Sequence, residues 1–231
     1  MKQIGALHKI TEGEYSLPES ETASNKLHAI SSDDTPLRID AFELPDEEKI
    51  KIIAGHFRGI MNTLGLDLQD DSLKNTPERV AKMFVKEIFS GLDPANKPSA
   101  TLFENKYSYK QMLVEKNISL YSTCEHHFVP IIGKAHIAYI SKGKVIGLSK
   151  INRIVQYYSQ RPQVQERLTI QIANELSKVL GTEDVAVMID AVHLCVSSRG
   201  IKDMDSSTIT AEYRGKFLDT GTKEEFLTYL D

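Results

Sequence analysis

Apolar side chains recur along this chain in two rhythms, and the first 44 residues follow neither. SLPESETASN and SSDDTPLRID are polar and rich in turn formers, so residues 1–44 read as a flexible tail. From Leu44-Pro45 onward, Ile50, Ile53, Phe57, Ile60 and Met61 return at helical spacing, which predicts an amphipathic helix from Asp46 to Leu64. Thr76-Pro77-Glu78-Arg79 marks a second helix start, with Thr76 as cap and Pro77 in the first helical position. Its stripe of Val80, Met83, Phe84, Ile88 and Phe89 ends at Gly91.

The rhythm then shortens. MLVEKNISLYS (112–122) and KAHIAYIS (134–141) are rich in β-branched and aromatic residues, and the second alternates as a half-buried strand does. Two helices follow, Ser149 to Ser159 and Val164 to Leu180, divided by Arg161-Pro162. DVAVMIDAVHLCVSS (184–198) reads as one long strand and SSTITAEYRGKF (206–217) as its antiparallel neighbour. A short helix from Lys223 to Leu230 closes the chain. Helices, strands, a helix pair and strands again make an α+β order rather than regular β-α alternation.

Composition adds exclusions. The 231 residues suit one good-sized domain with an appendage. No stretch approaches the run of about 20 apolar residues that a membrane helix needs. MKQIGALHKITEGEYS has no apolar core of a signal peptide, so the expected location is the cytoplasm. The net charge of −4 sits in residues 1–44, with four Lys/Arg against eight Asp/Glu; the other 187 residues carry 24 of each sign. A balanced body lacks the footprint of a nucleic-acid binder. Any cationic pocket is therefore local and suits a small anion.

The chemistry concentrates at Cys124-Glu125-His126-His127 and His193-Leu194-Cys195, which hold both cysteines of the chain. Zinc takes thiolate and imidazole, and a Cys-x-x-His pair can reach one ion from a tight turn. On a strand, His193 and Cys195 project to the same face. Cys124, His127 and Cys195 make three ligands and leave a fourth position for water, the pattern of a catalytic rather than a structural site. His126 and His193 then remain as bases beside that water. Spacing alone leaves open a disulfide or two small buried thiols, and an isolated His136 reads as structural or exposed.

Gly147-Leu148-Ser149-Lys150-Ile151-Asn152-Arg153 lies at a strand-to-helix transition. Ser149 is placed to cap the helix, whose free N–H groups favour an anion, and Lys150 and Arg153 lean to one side of it. Arg199 and Arg79 are further cations, each equally readable as solvated surface charge. Gln165-Glu166 opens the next helix. Glu166 there is either a helix-dipole partner or an acceptor for the paired N–H groups of a guanine.

These segments together resemble the GTP cyclohydrolase I family. The resemblance runs through NTPERVAKMFVKEIFSGL (75–92), CEHHF (124–128), GLSKINRIVQ (147–156), QRPQVQERLT (160–169) and AVHLC with Arg199-Gly200, and spans Leu44 to Leu230. It implies a helical part over 45–95 and a tunnelling-fold domain over 96–231. That fold is an antiparallel sheet with a helix pair on one face, and sheets of neighbouring subunits close into a barrel. The resemblance implies homo-oligomers, decamers in this family, with active sites at subunit interfaces. The resemblance also implies zinc on Cys124, His127 and Cys195, catalysis by His126 and His193, and guanine recognition by Glu166 helped by Gln165. Ser149, Lys150, Arg153, Arg199 and Arg79 match triphosphate and ribose contacts drawn from more than one subunit.

The implied reaction adds a zinc-activated water to carbon 8 of GTP, opens the imidazole ring, releases formate and recloses the ribose carbons as 7,8-dihydroneopterin triphosphate, with His193 as the main acid/base. Two stretches depart from the family pattern. Val196-Ser197-Ser198 is unusually polar, and Glu212 and Arg214 are placed to pair with each other. Two rivals stand against this activity: another pterin or deazapurine enzyme of the same fold, and a silent paralogue with zinc as a brace. A brace needs neither the unligated histidines nor the cations.

Overall fold

The structure, a computed structural model, describes residues 34–230; the tail expected over 1–44 therefore falls mostly on residues 1–33, outside the described residues. Helix α1 spans Asp46–Thr63, with Asp46, Glu47 and Glu48 in its first turn, where the helix dipole favours negative charge. Helix α2, Thr76–Met83, runs on as a wider π turn over Phe84–Ile88. Its cap position is Asn75, one residue before the Thr76 expected, and Pro77 is buried in the first turn.

The sheet is built from β2 (Met112–Cys124), β3 (Pro130–Ile140), β6 (Val185–His193) and β7 (Thr208–Tyr213), all antiparallel, with the two-residue β5 (Pro162–Gln163) parallel to the end of β2. The order is β5-β2-β3-β6-β7, and β1 (Leu102–Glu104) pairs separately with β4 (Lys144–Ile146). Helices α3 (Leu148–Ser159) and α4 (Gln165–Leu180) cover one face of the sheet. There Ile118, Leu120, Ile131, Ile137 and Ile189 of the strands meet Ile151, Ile154, Leu168, Ile172 and Leu176 of the helices. Burying such aliphatic side chains contributes about 1.5–3 kcal/mol each and makes this layer the main core. On the opposite face, Phe217 and Phe226 cover Met112, Ala138 and Ala186. The cross-strand pair Tyr121 and Ile132 lies on exposed sheet surface nearer the other end.

Two corrections concern helix starts and strand ends. Ser149 is not the cap of α3: Gly147 holds that position, and no side chain caps the first turn. The long strand expected over 184–198 stops at His193, and Leu194–Ser197 form one helical turn, α5. Same-face strand geometry therefore does not relate His193 to Cys195. His136 is buried, accepts from the Asn117 N–H at 3.5 Å, and supports the bulge between Glu115 and Ile118. Glu212 and Arg214 do pair, at 2.9 Å.

Gly91 joins the helical part to the helix pair. Its N–H reaches Gln160 O at 3.0 Å, its carbonyl accepts from Arg161 Nε at 2.8 Å, and a Cβ there would lie 2.0 Å from Tyr157 O. Gly133 is similarly constrained in mid-sheet, since a Cβ would lie 2.1 Å from Asp190 O and 2.5 Å from Ala191 Cβ. Backbone, unlike the tip of a side chain, cannot swing aside. Gly133→Ala is therefore expected to cost about 3 kcal/mol, read as a lower midpoint of chemical unfolding.

Candidate metal centre and its surroundings

The end of β2 and the start of β3 form a tight hairpin. Cys124 N–H bonds Val129 O at 2.8 Å and Phe128 N–H bonds Cys124 O at 2.8 Å, so Glu125, His126 and His127 are carried on the turn. Phe128 takes φ 54°, an uncommon conformation for a bulky residue. Its ring packs edge-on against Phe89 at 5.3 Å, Phe89 against Phe84 at 5.3 Å, and Phe84 against Phe57 at 5.7 Å. A ladder of four rings thus braces the turn on the N-terminal helices. Beside it lies a cavity of about 460 Å³, lined largely by apolar side chains that include Leu37, Phe42, Ile53 and Phe57. Among the described residues, Lys49 and His56 are its only basic lining residues, which makes it a poor receptor for a triphosphate.

Cys124, His127 and Cys195 meet here, with one ligand atom from each lying within 4.8 Å of the others. Both cysteines are free thiols, which removes the disulfide reading. Cys124 Sγ is 3.8 Å from His127 Nδ1. Zinc bonds of about 2.3 Å to sulfur and about 2.0 Å to nitrogen, at a tetrahedral angle, set these atoms about 3.6 Å apart. The donor set and its spacing therefore fit zinc. Burial, and after it the Cys124 thiol, pushes the pKa of the Cys195 thiol up. Two thiols that oppose each other's ionisation become compatible as thiolates when a divalent cation binds both.

Charged neighbours hold this centre. Glu125 pairs with Arg167 of α4, whose side chain is 10% exposed, and Arg167 Nε donates to Gln163 Oε1 at 3.1 Å. The Glu125 N–H also bonds Gln163 O at 3.0 Å, so the ligand turn is fastened once to α4 and once to β5. Sequence reasoning missed this clamp. Its one legible signal was Arg167 four residues after Gln163. His126 is exposed, with Nδ1 3.9 Å from Cys124 Sγ and Nε2 3.8 Å from Glu125 Oε1. Arg199 Nη1 lies 3.0 Å from His127 Nε2, which puts one expected cation against a ligand residue.

His193 ends β6 next to α5. Burial holds its pKa below the ordinary imidazole value, against the opposing pull of the Glu166 carboxylate. Its Nε2 lies 2.8 Å from Gln165 Oε1. Glu166 is exposed at the start of α4, whereas Gln165 is buried and spends its amide within the protein, so the guanine contact expected of Gln165 is not supported by its placement. Ser149 and Arg153 are exposed on α3, Lys150 is half-buried there, and Arg79 is exposed on α2. Among the described residues, no hydrogen bond or ion pair ties these four to the thiol cluster.

The profile of the family described as GTP cyclohydrolase I matches residues 53–231. GTP cyclohydrolase 1 of Flavobacterium johnsoniae is 66% identical over 203 residues, covering 88% of this chain and 91% of that protein. GTP cyclohydrolase 1 of Enterobacter sp. (strain 638) is 57% identical over 195 residues, covering 84% of this chain and 88% of its own length. Among solved structures, an apo archaeosine synthase QueF-Like aligns with a TM-score of 0.39 at 13% identity, over 46% of this chain and 94% of that one.

Proposed function

Because this chain belongs to the GTP cyclohydrolase I family, we propose that it opens the guanine imidazole ring of GTP, releases carbon 8 as formate and forms 7,8-dihydroneopterin triphosphate, the entry to tetrahydrofolate and pterin synthesis. The observation that carries this reading is the convergence of Cys124, His127 and Cys195, with His193 two residues before Cys195 and Glu166 near enough to His193 to act on its pKa. Zinc bound by those three residues supplies Lewis-acid activation of water, lowering its pKa towards about 7.

The chain's own groups account for the remaining work. His193 takes the proton of the attacking water and returns one to the ring nitrogen that leaves carbon 8. His126, exposed beside Cys124, is the second proton carrier. Glu166 accepts the ring N–H and exocyclic amine of guanine, a paired recognition that no other base offers in the same form. Arg199 draws the substrate's anionic end towards the centre. The first turn of α3, with uncapped N–H groups and with Ser149, Lys150 and Arg153, suits the triphosphate.

Among the described residues, those α3 residues and Arg79 have no tie to the thiol cluster of their own chain, which supports a site completed by neighbouring subunits. Open sheet edges support the same reading. Among the described residues, β7 has no strand on its outer side, and β2 has only Pro162–Gln163 on its other side. Such edges are closed by pairing with another chain or by cover. We take the assembly to be a decamer, with a helical part over 45–95 and a catalytic domain over 96–231. No helix among the described residues is long and apolar enough to cross a membrane, and the cytoplasm is the location this reading favours.

The test is to incubate zinc-loaded protein with GTP and follow formate together with the pterin, detected by fluorescence after oxidation. Both are expected. Formate without the pterin would confine the activity to ring opening, and neither product with GTP bound would favour the silent paralogue.

A further inference from the structure

Gln165 is a buried polar side chain near the reaction centre, at 1% exposure. Its Nε2 lies 3.1 Å from Ile189 O and 2.8 Å from Thr208 O, and these carbonyls can only accept. The amide nitrogen must therefore face β6 and β7, and the reversed orientation would set oxygen against oxygen. Thr169 donates its hydroxyl hydrogen to Gln165 O at 2.8 Å, so in its 2.7 Å contact with Thr210 it must accept. Thr210 Oγ1 is then left to accept from Gln165 Nε2 at 3.1 Å. The two amide hydrogens thus face three acceptors, one of them shared, and the amide oxygen is left free for another partner.

What remains is Gln165 Oε1, an acceptor, 2.8 Å from His193 Nε2. That nitrogen must carry the hydrogen. A neutral imidazole has one N–H, so its lone pair stands on Nδ1, where no hydrogen bond is made among the described residues. We infer that Gln165 is the positioning residue for His193: it holds the ring with Nε2–H inward and leaves Nδ1 as the atom that accepts and returns the proton. This deepens the GTP reading and rests on it. The proton leaves the attacking water, resides on Nδ1 while Nε2–H stays on Gln165, and passes to the ring nitrogen as its bond to carbon 8 breaks.

The test compares zinc-loaded, full-length wild type with Gln165→Met, which fills the space without an acceptor, and Gln165→Glu, which keeps an acceptor against His193. In Gln165→Met, kcat for formate release is expected to fall about 10- to 100-fold, with KM for GTP within about threefold and zinc retained. Gln165→Glu is expected to recover about tenfold of that loss while melting lower than the Met variant. Both variants deprive the Ile189 and Thr208 carbonyls of their donor, and Glu in addition buries a carboxylate with an oxygen set against them. Activity and stability thus rank the two variants in opposite orders. A kcat that follows melting temperature across the set would make Gln165 a packing residue, and a raised KM with intact kcat would make it a substrate contact; either overturns the inference. Nitrogen spectra of ¹⁵N-histidine protein, with the His193 signal identified by its loss in His193→Ala, give a readout independent of turnover. Hydrogen on Nε2 is expected in wild type, and hydrogen on Nδ1 overturns the assignment. A wild type that releases no formate would count against the family activity instead, a result distinct from all of these.

Discussion

Cys195→Ser is expected to yield a folded protein without zinc, in which GTP ring opening falls by roughly a thousandfold or more. A seryl hydroxyl does not ionise where a thiol does, and zinc's preference for sulfur leaves Cys124 and His127 alone to hold it. Without the metal, the attacking water regains the far higher pKa of bulk water. The fold should tolerate the change, because Cys195 is half-buried at the margin of the main core. Cys124 is 4% exposed within that core, so Cys124→Ser should lose zinc and stability together. Bound metal measured after gel filtration, alongside formate release, checks the expectation. A Cys195→Ser protein that keeps full zinc would remove this residue from the ligand set.

His193→Ala is the second large effect, with turnover reduced about 10²- to 10⁴-fold, the range for losing a positioned acid/base. Zinc content and assembly should stay unchanged, since His193 is outside the cluster of ligand atoms. This variant also separates the enzyme from the brace, because a structural zinc site would lose nothing measurable. Formate release per bound zinc is the decisive quantity. The loss should exceed that in Gln165→Met, because a misdirected imidazole still transfers some protons and an absent one transfers none.

Much of the fold was legible because burial imposes a period. The stripe at Ile50, Ile53, Phe57 and Met61 had to become a helix with one covered face, and α1 lies within a residue of that expectation. Strands β2 and β3 were recognised by their β-branched content, though each extends past the predicted end into the metal hairpin. The error at Leu194–Ser197 has a local cause. His193-Leu194-Cys195-Val196 prolongs a strand-like apolar run, yet the carbonyls of His193 and Leu194 are taken up by Ser197 and Ser198 in a helical turn. Serines that bond back to the preceding backbone compete with a strand ladder. The polar Val196-Ser197-Ser198 stretch, a departure from the family pattern, lies just beyond the end of β6.

The sequence by itself determined the donor chemistry: two thiols each followed or preceded by imidazole, an acidic residue opening a helix, and cations placed locally in a body of balanced charge. Those are properties of residue type, and no folding is needed to read them. The tertiary structure decided which groups act together. It brought Cys195 to Cys124 across a gap of 70 residues by pairing β3 with β6, and it fastened the ligand turn to α4 through Glu125 and Arg167. It also set the Gln165 amide between His193 and the carbonyls of β6 and β7. The physical reason is directional: an amide can serve either ligand or protein, and only the carbonyls of Ile189 and Thr208, 24 and 43 residues away in the chain, settle which way it faces.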